Sequence, residues 1–366
     1  MQKLSASEIF IGHVRKWPNI RFGLLFVLLF SSVILFPSDA WSHIKWFYPY
    51  DLSNPPLPIG DVLTPTLIYL YLVSVIGMYA FFWVDRYLFR KKFLVEQLAR
   101  FSVNPKQSFW IMRISISVFF ASLFILSLTD TAILLTPELH TTSAVVPWLQ
   151  LALAGFALFR LTTPLVGLGI FALYGLAIEQ YGFFHMLDYL IFLGVGVYFL
   201  LAALKDRKWL KVRYVTLFAS TGLSLLWVTI EKFSYPKWTY PLLENEPSML
   251  MGMNPQFYMV LAGFVEFNIT FVLLSSASAF SRVIALGFMG IFIMAIVMFG
   301  LVDAIGHLLI LVVLFILVVR GPTSARELLV LSDKSLWTEA YFMTGLYMLA
   351  FNLIFIAYYG LYFLAR

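Results

Sequence analysis

The sequence predicts an all-α fold: a polytopic transmembrane helical protein of about eleven spans, built as a tandem pair of four-helix bundles plus extra helices. Three observations carry this expectation. The 366-residue chain is 61% hydrophobic and only 12% charged, more apolar surface than a soluble domain of this size can bury. Its cations gather on alternate loops, as the positive-inside rule requires. Its second half repeats the first: Arg113 opens one long apolar stretch, and Arg213 opens another 100 residues later.

A spanning helix needs about 20 apolar residues at a rise of about 1.5 Å. In chain order the candidate spans are about 22–37, 63–84, 109–129, 146–160, 164–179, 185–204, 213–231, 256–276, 283–299, 302–320 and 339–364. Residues 1–21 form a basic amphipathic lead suited to a membrane surface. The first span reads as retained, because Phe36-Pro37-Ser38-Asp39-Ala40-Trp41 offers no small-x-small cleavage site. Trp41 to Tyr50 and Asn54-Pro55-Pro56-Leu57-Pro58 make an aromatic, Pro-rich outer loop, fit for a membrane interface or a docking surface. A basic inner loop follows at 85–108, with a short helix at 87–101.

The chain divides into 1–108 (basic lead and two spans), 109–204 (first four-helix repeat), 213–320 (second repeat) and 321–366 (last span). Each repeat reads as a helix, a Pro- and aromatic-containing loop, a Gly-Phe helix (Gly155-Phe156, Gly263-Phe264) and two more helices. The last two helices of each repeat meet near a glycine followed by polar residues. These are Gly182, His185 and Asp188 in the first repeat and Gly300, Asp303 and His307 in the second. Gly321-Pro322 ends the second repeat sharply.

With these spans, 21 of the 25 Lys and Arg fall on one side, leaving Lys45, Lys232, Lys237 and Arg366 opposite. The expected topology is N-terminus cytoplasmic and C-terminus periplasmic. The net charge of +6 is then explained by loops facing anionic lipid and calls for no nucleic acid. The absence of cysteine excludes disulfides, CxxC redox motifs, thiolate-held iron–sulfur clusters and covalent haem attachment.

An ionisable side chain costs about 2.5–3.5 kcal/mol at the centre of a spanning helix, so buried ones mark places to look. The second repeat offers four. Glu231 ends one span, Glu266 lies about 15 Å into the next by rise per residue, and Asp303 and His307 share one face four residues apart. A pocket lined by all four admits three chemistries: proton exchange with a quinone, divalent metal binding, or a proton or ion relay in a transporter. Beside these stand simpler readings. Asp303 and His307 suit a helix cap and its partner, Glu231-Lys232 an interfacial charge pair, and Glu266 a hydrogen bond between helices. Arg160 and Arg282 read as snorkelling residues at helix ends. His13, His43 and His140 lie in loops without metal-ligand spacing.

The second repeat resembles the DoxX/DoxD-like superfamily of four-helix membrane proteins. The resemblance rests on Arg213 at the first helix start, the long loop after Glu231-Lys232-Phe233, Gly263-Phe264-Val265-Glu266, Arg282, and the Asp303 to His307 segment. The first repeat looks like a diverged copy, and the two cover about 200 residues. Members with this look include the membrane subunits of thiosulfate:quinone oxidoreductase. The resemblance implies an integral subunit of a redox system in a bacterial inner membrane. Quinone would be the cofactor, held by Glu231, Glu266 and His307, with Glu266 and His307 handling protons and Asp303 orienting His307. Membrane or periplasmic subunits would be its partners. Two alternatives stand: a non-catalytic subunit of a larger membrane complex, and a proton-coupled transporter of a small solute or metal.

Overall fold

The computed structural model describes residues 45, 50–129, 131–204, 206–321, 324–331 and 333–365. The expected span at 22–37, the basic lead and most of the Trp41–Tyr50 stretch lie outside these residues. Nine principal helices follow: α1 (Pro65–Arg90), α2 (Pro105–Leu126), α3 (Val145–Leu158), α4 (Thr163–Tyr181), α5 (Leu190–Leu201), α6 (Arg207–Ser234), α7 (Pro255–Ser275), α8 (Phe280–Arg320) and α9 (Leu336–Leu364). Among the described residues nine segments are long and apolar enough to cross a bilayer, α8 supplying two of them and α5 being extended back to Phe183. The chain is a multi-pass helical membrane protein. The ten expected spans from 63–84 onward each fall on one of these segments, except that α3, at 14 residues, is shorter than a bilayer is thick.

Local chemistry sets the helix starts. Thr64, Asn104 and Asn254 each cap a helix whose first residue is Pro, and their side chains accept from Leu67, Lys106 and Gln256 backbone amides respectively. Proline loses nothing at that position, because its missing N–H has no partner inside the helix. Asn104 and Gln107 complete a reciprocal capping box.

Two glycines break the helices. Gly182 ends α4 at φ 85°, ψ 153°, and Gly300 interrupts α8 at φ 82°, ψ −157°. Only glycine adopts this region freely, so each marks an obligatory junction between two helices.

Two apolar cores form. One is built from α2, α3, α4, α5 and α8, with Phe119, Phe120, Ile170, Phe199 and Val312 fully enclosed. The other is built from α1, α6, α7 and α9, around Phe82, Phe267, Tyr347 and Phe351. Each core therefore draws helices from both halves of the sequence, and α6 contributes to both. The α2–α3 loop folds into a small antiparallel hairpin, β1 (Ala132–Ile133) and β2 (His140–Thr141). Gln150 on α3 donates to the Ile133 and Leu134 carbonyls at 2.5 and 3.1 Å, and Tyr181 on α4 donates to the His140 carbonyl at 2.8 Å. These bonds tuck the hairpin against the bundle, so Thr136, Glu138 and Leu139 are buried.

Candidate functional site

A buried charged cluster lies at the end of the bundle that carries the hairpin. The α5 helix begins after a short turn, Phe183–Met186, which Gly182 allows. That turn presents His185, and one further turn presents Asp188. The last turn of α6 presents Glu231. Lys45 joins them: its Nζ is 2.6 Å from Asp188 Oδ2 and pairs also with Glu231 Oε1. The Lys45 ammonium lies 5.2 Å from the Trp238 ring and 5.7 Å from the Tyr50 ring, and the Tyr50 hydroxyl is 3.2 Å from His185 Nε2. His185 Nδ1 in turn is 3.7 Å from Asp188 Oδ2. Ser224 on α6 donates to the Asp188 carbonyl, which locks α5 to α6 beneath the ions.

Glu138 completes the cluster from the hairpin. It is 6% exposed, and neither carboxylate oxygen receives a hydrogen bond from another residue. Burial pushes its carboxyl up to about 8; Lys45 opposes that rise, and Asp188 and Glu231 add to it. Burial would lower the Lys45 ammonium, but the attraction of Asp188 and Glu231 outweighs it and the net shift is upward. Burial, and then the nearby Glu138, raises the Tyr50 phenol. Three carboxyl groups thus surround Lys45 in a buried site. A full set of charges there is expensive, and burial favours the protonated form of Glu138.

The four side chains expected to converge are divided. Glu231 belongs to the Lys45 cluster. Glu266 pairs with Lys232 at 2.6 Å, so Glu231 and Lys232 face different partners and are not the pair expected at the membrane edge. Asp303 and His307 bond each other, Oδ2 to Nδ1 at 3.0 Å, and the His307 ring lies 4.7 Å from that of Phe292. Both are buried, at 0% and 2% exposure. Two neighbouring contacts between α6 and α7 correct the expected depth of Glu266. A Cβ on Gly263 would overlap the Phe233 ring, and one on Gly222 would overlap Leu274. This antiparallel register puts Glu266 level with Ile230, about one turn from the end of α6. The first turns of α7 overhang α6, so counting residues along α7 overstates how deep Glu266 lies. It is 19% exposed at the side chain and Lys232 is 25% exposed, which leaves this pair open where the Lys45 cluster is closed.

Sequence reasoning missed the roles of Lys45, Glu138 and Asp85. Lys45 and Glu138 sat in segments read as outer loops, and only the His185–Asp188 spacing after Gly182 hinted at a site there. Asp85 and Arg86 form a second network at the opposite end, paired at 2.6 Å and at most 1% exposed. Asp85 also accepts from the Ser276 hydroxyl at 2.5 Å and from the Ala277 and Ser278 amides at 3.1 and 3.2 Å. It thereby satisfies the loop between α7 and α8. Arg282 is likewise no snorkelling residue: it is 3% exposed and donates to the Val318 carbonyl.

Among the described residues no group of three His, Asp or Glu side chains is arranged to hold a metal ion. The chain matches no family model, no curated protein and no solved structure.

Proposed function

We propose that this protein is a proton-exchanging membrane subunit of a redox system, of the DoxX/DoxD-like kind, working on a quinone. The observation that carries the reading is the shortage of positive charge at the Lys45 end. Among the described residues Glu138, Asp188, Glu231 and the adjoining Glu266 face only Lys45 and Lys232. Oxidising a quinol releases two electrons and two protons. A set of carboxylates short of cations has the capacity to take up those protons, and His185 with Tyr50 extends the hydrogen-bonded path. The half-open Lys232–Glu266 pair is where a lipid-dissolved headgroup would first meet the protein. The electrons would leave through a partner redox subunit.

Two further features support the reading. Gly182 and Gly300 share a positive φ, and each is followed within a turn or two by a carboxylate–imidazole pair, His185–Asp188 and Asp303–His307. This is what a duplicated four-helix unit would leave behind. The Lys and Arg asymmetry supports a periplasmic position for the Lys45 end in a bacterial inner membrane. Quinone quantified in the detergent-purified protein tests the reading. We expect near-stoichiometric quinone in the wild type and at least a tenfold loss in Glu266→Gln, with His307→Ala lowering quinol oxidation in membranes. A wild-type protein without quinone, inert toward quinol analogues in native membranes, would overturn it.

A further inference from the structure

The end of the bundle opposite the Lys45 cluster holds arginines that lack a counter-charge. Two of the arginines there are matched: Arg86 pairs with Asp85, and Arg90 lies 3.2 Å from a Glu339 oxygen. Arg213 at the start of the apolar part of α6 and Arg320 at the end of α8 differ. Neither pairs with a carboxylate among the described residues. Arg213 is 6% exposed, so it is not a side chain that reaches out to water. Its guanidinium lies 4.6 Å from the Tyr198 ring, 5.1 Å from Phe109 and 5.2 Å from Tyr214, and its Nε is buried without a partner. Arg320 lies 4.2 Å from the same Tyr214 ring and reaches Ser108 at 3.5 Å. Ser108 and the Tyr214 hydroxyl are 2.6 Å apart, and Arg213 reaches that hydroxyl at 3.5 Å. Two guanidinium groups therefore converge on one Ser–Tyr hydroxyl pair, both through long, weak contacts.

Aromatic faces attract a guanidinium, but they do not neutralise it and they accept no N–H in the ring plane. Two like charges held together over a single tyrosine also repel. An anion that accepts from both guanidinium groups and from the two hydroxyls would satisfy the orphaned Nε and cancel the repulsion. Planar, forked donors suit a phosphate group above other anions. We propose that Arg213, Arg320, Ser108 and Tyr214 form a phosphate-binding site at this end of the bundle, reached past the half-buried Arg320. The phosphate could arrive on a phospholipid headgroup or as a free soluble anion, and the two sources are separable.

Native mass spectrometry of the full chain in mild detergent tests this, with phosphatidylglycerol, phosphatidylcholine or inorganic phosphate added separately. The wild type should retain phosphatidylglycerol at least tenfold better than phosphatidylcholine if the source is lipid. It should instead gain thermal protection from millimolar inorganic phosphate, without lipid preference, if the source is soluble. Arg213→Gln and Arg320→Gln should each reduce the preferred ligand at least tenfold, and Arg320→Lys should keep part of it. Arg320 is only half-buried, so its variants report on binding even if Arg213→Gln fails to fold. Wild-type protein that prefers neither anion, or Arg320→Gln that binds like wild type, would overturn the proposal and leave the two arginines as ring-packed structural residues.

Discussion

Gly263 on α7 lies against the ring of Phe233 on α6, and this contact sets where Glu266 sits. With that register Glu266 meets Lys232 in the last turn of α6. A methyl group at 263 has nowhere to go, because the Phe233 ring is itself packed on Phe264, 5.2 Å between centroids, and on Phe351, at 6.2 Å. Gly263→Ala should therefore destabilise the protein by about 1–3 kcal/mol, the usual cost of overpacking. Thermal unfolding in detergent measures the loss. Trimming the ring in Gly263→Ala/Phe233→Leu should recover part of it, whereas independent, additive losses would show that the two residues do not share this contact.

Lys45 is the hub of the buried cluster, and removing it strands two carboxylates. Lys45→Met should cost about 3–5 kcal/mol, as for other buried pairs broken on one side. Adding Asp188→Asn to Lys45→Met should restore part of the stability, because one of the two stranded charges goes with it. A double variant no more stable than Lys45→Met would argue that the ion pair is not formed.

Glu138 predicts a pH dependence of defined sign. Its carboxyl titrates at about 8 in the folded protein, above the ordinary value for an unfolded glutamate. The folded state thus binds the proton more tightly than the unfolded state. Its contribution is fully present below the unfolded value and is lost as pH rises through about 8. Stability should fall between pH 6 and pH 9 by as much as a few kcal/mol. Glu138→Gln mimics the protonated form and should be the more stable protein at pH 9, with a flatter profile. Melting curves across this range decide it; a wild type that gains stability on going to pH 9 would contradict the burial of this carboxyl.

At the other end, Asp85 answers four donors from two parts of the chain. Asp85→Asn keeps the shape but removes the charge beside the fully buried Arg86, and should cost about 3–5 kcal/mol. Asp206 pairs with Lys208 on the surface, where both side chains are more than two-thirds exposed. Asp206→Asn should leave the melting temperature unchanged. Equal effects at the two sites would mean that the Asp85 network is solvated.

The cysteine-free sequence also makes orientation directly measurable. Ser143 follows the hairpin and Lys92 follows α1, and both are exposed at opposite ends of the bundle. A membrane-impermeant thiol reagent applied to whole cells should label Ser143→Cys and leave Lys92→Cys untouched. The reverse pattern would invert the expected topology.

The sequence by itself determined where the helices lie. Apolar length set the spans, Thr64, Asn104 and Asn254 ahead of proline set three helix starts, and Gly182 and Gly300 set two breaks. These are local effects, readable within one turn of each residue. Sequence also identified Glu231, Glu266, Asp303 and His307 as costly and worth locating. Which of them meet was decided only by the tertiary structure. Lys45 finds Asp188 across 143 positions of sequence, and Glu138 reaches the same site only because a hairpin in the α2–α3 loop is pinned beneath Gln150 and Tyr181. The depth of Glu266 depends on how far α7 slides along α6, which a glycine and a ring settle. The physical reason is that lipid and protein interior are about equally apolar. Hydropathy therefore tells a helix to leave water but not which neighbour to choose. That choice falls to close-packed glycines and buried charges, and their partners lie far away in the chain.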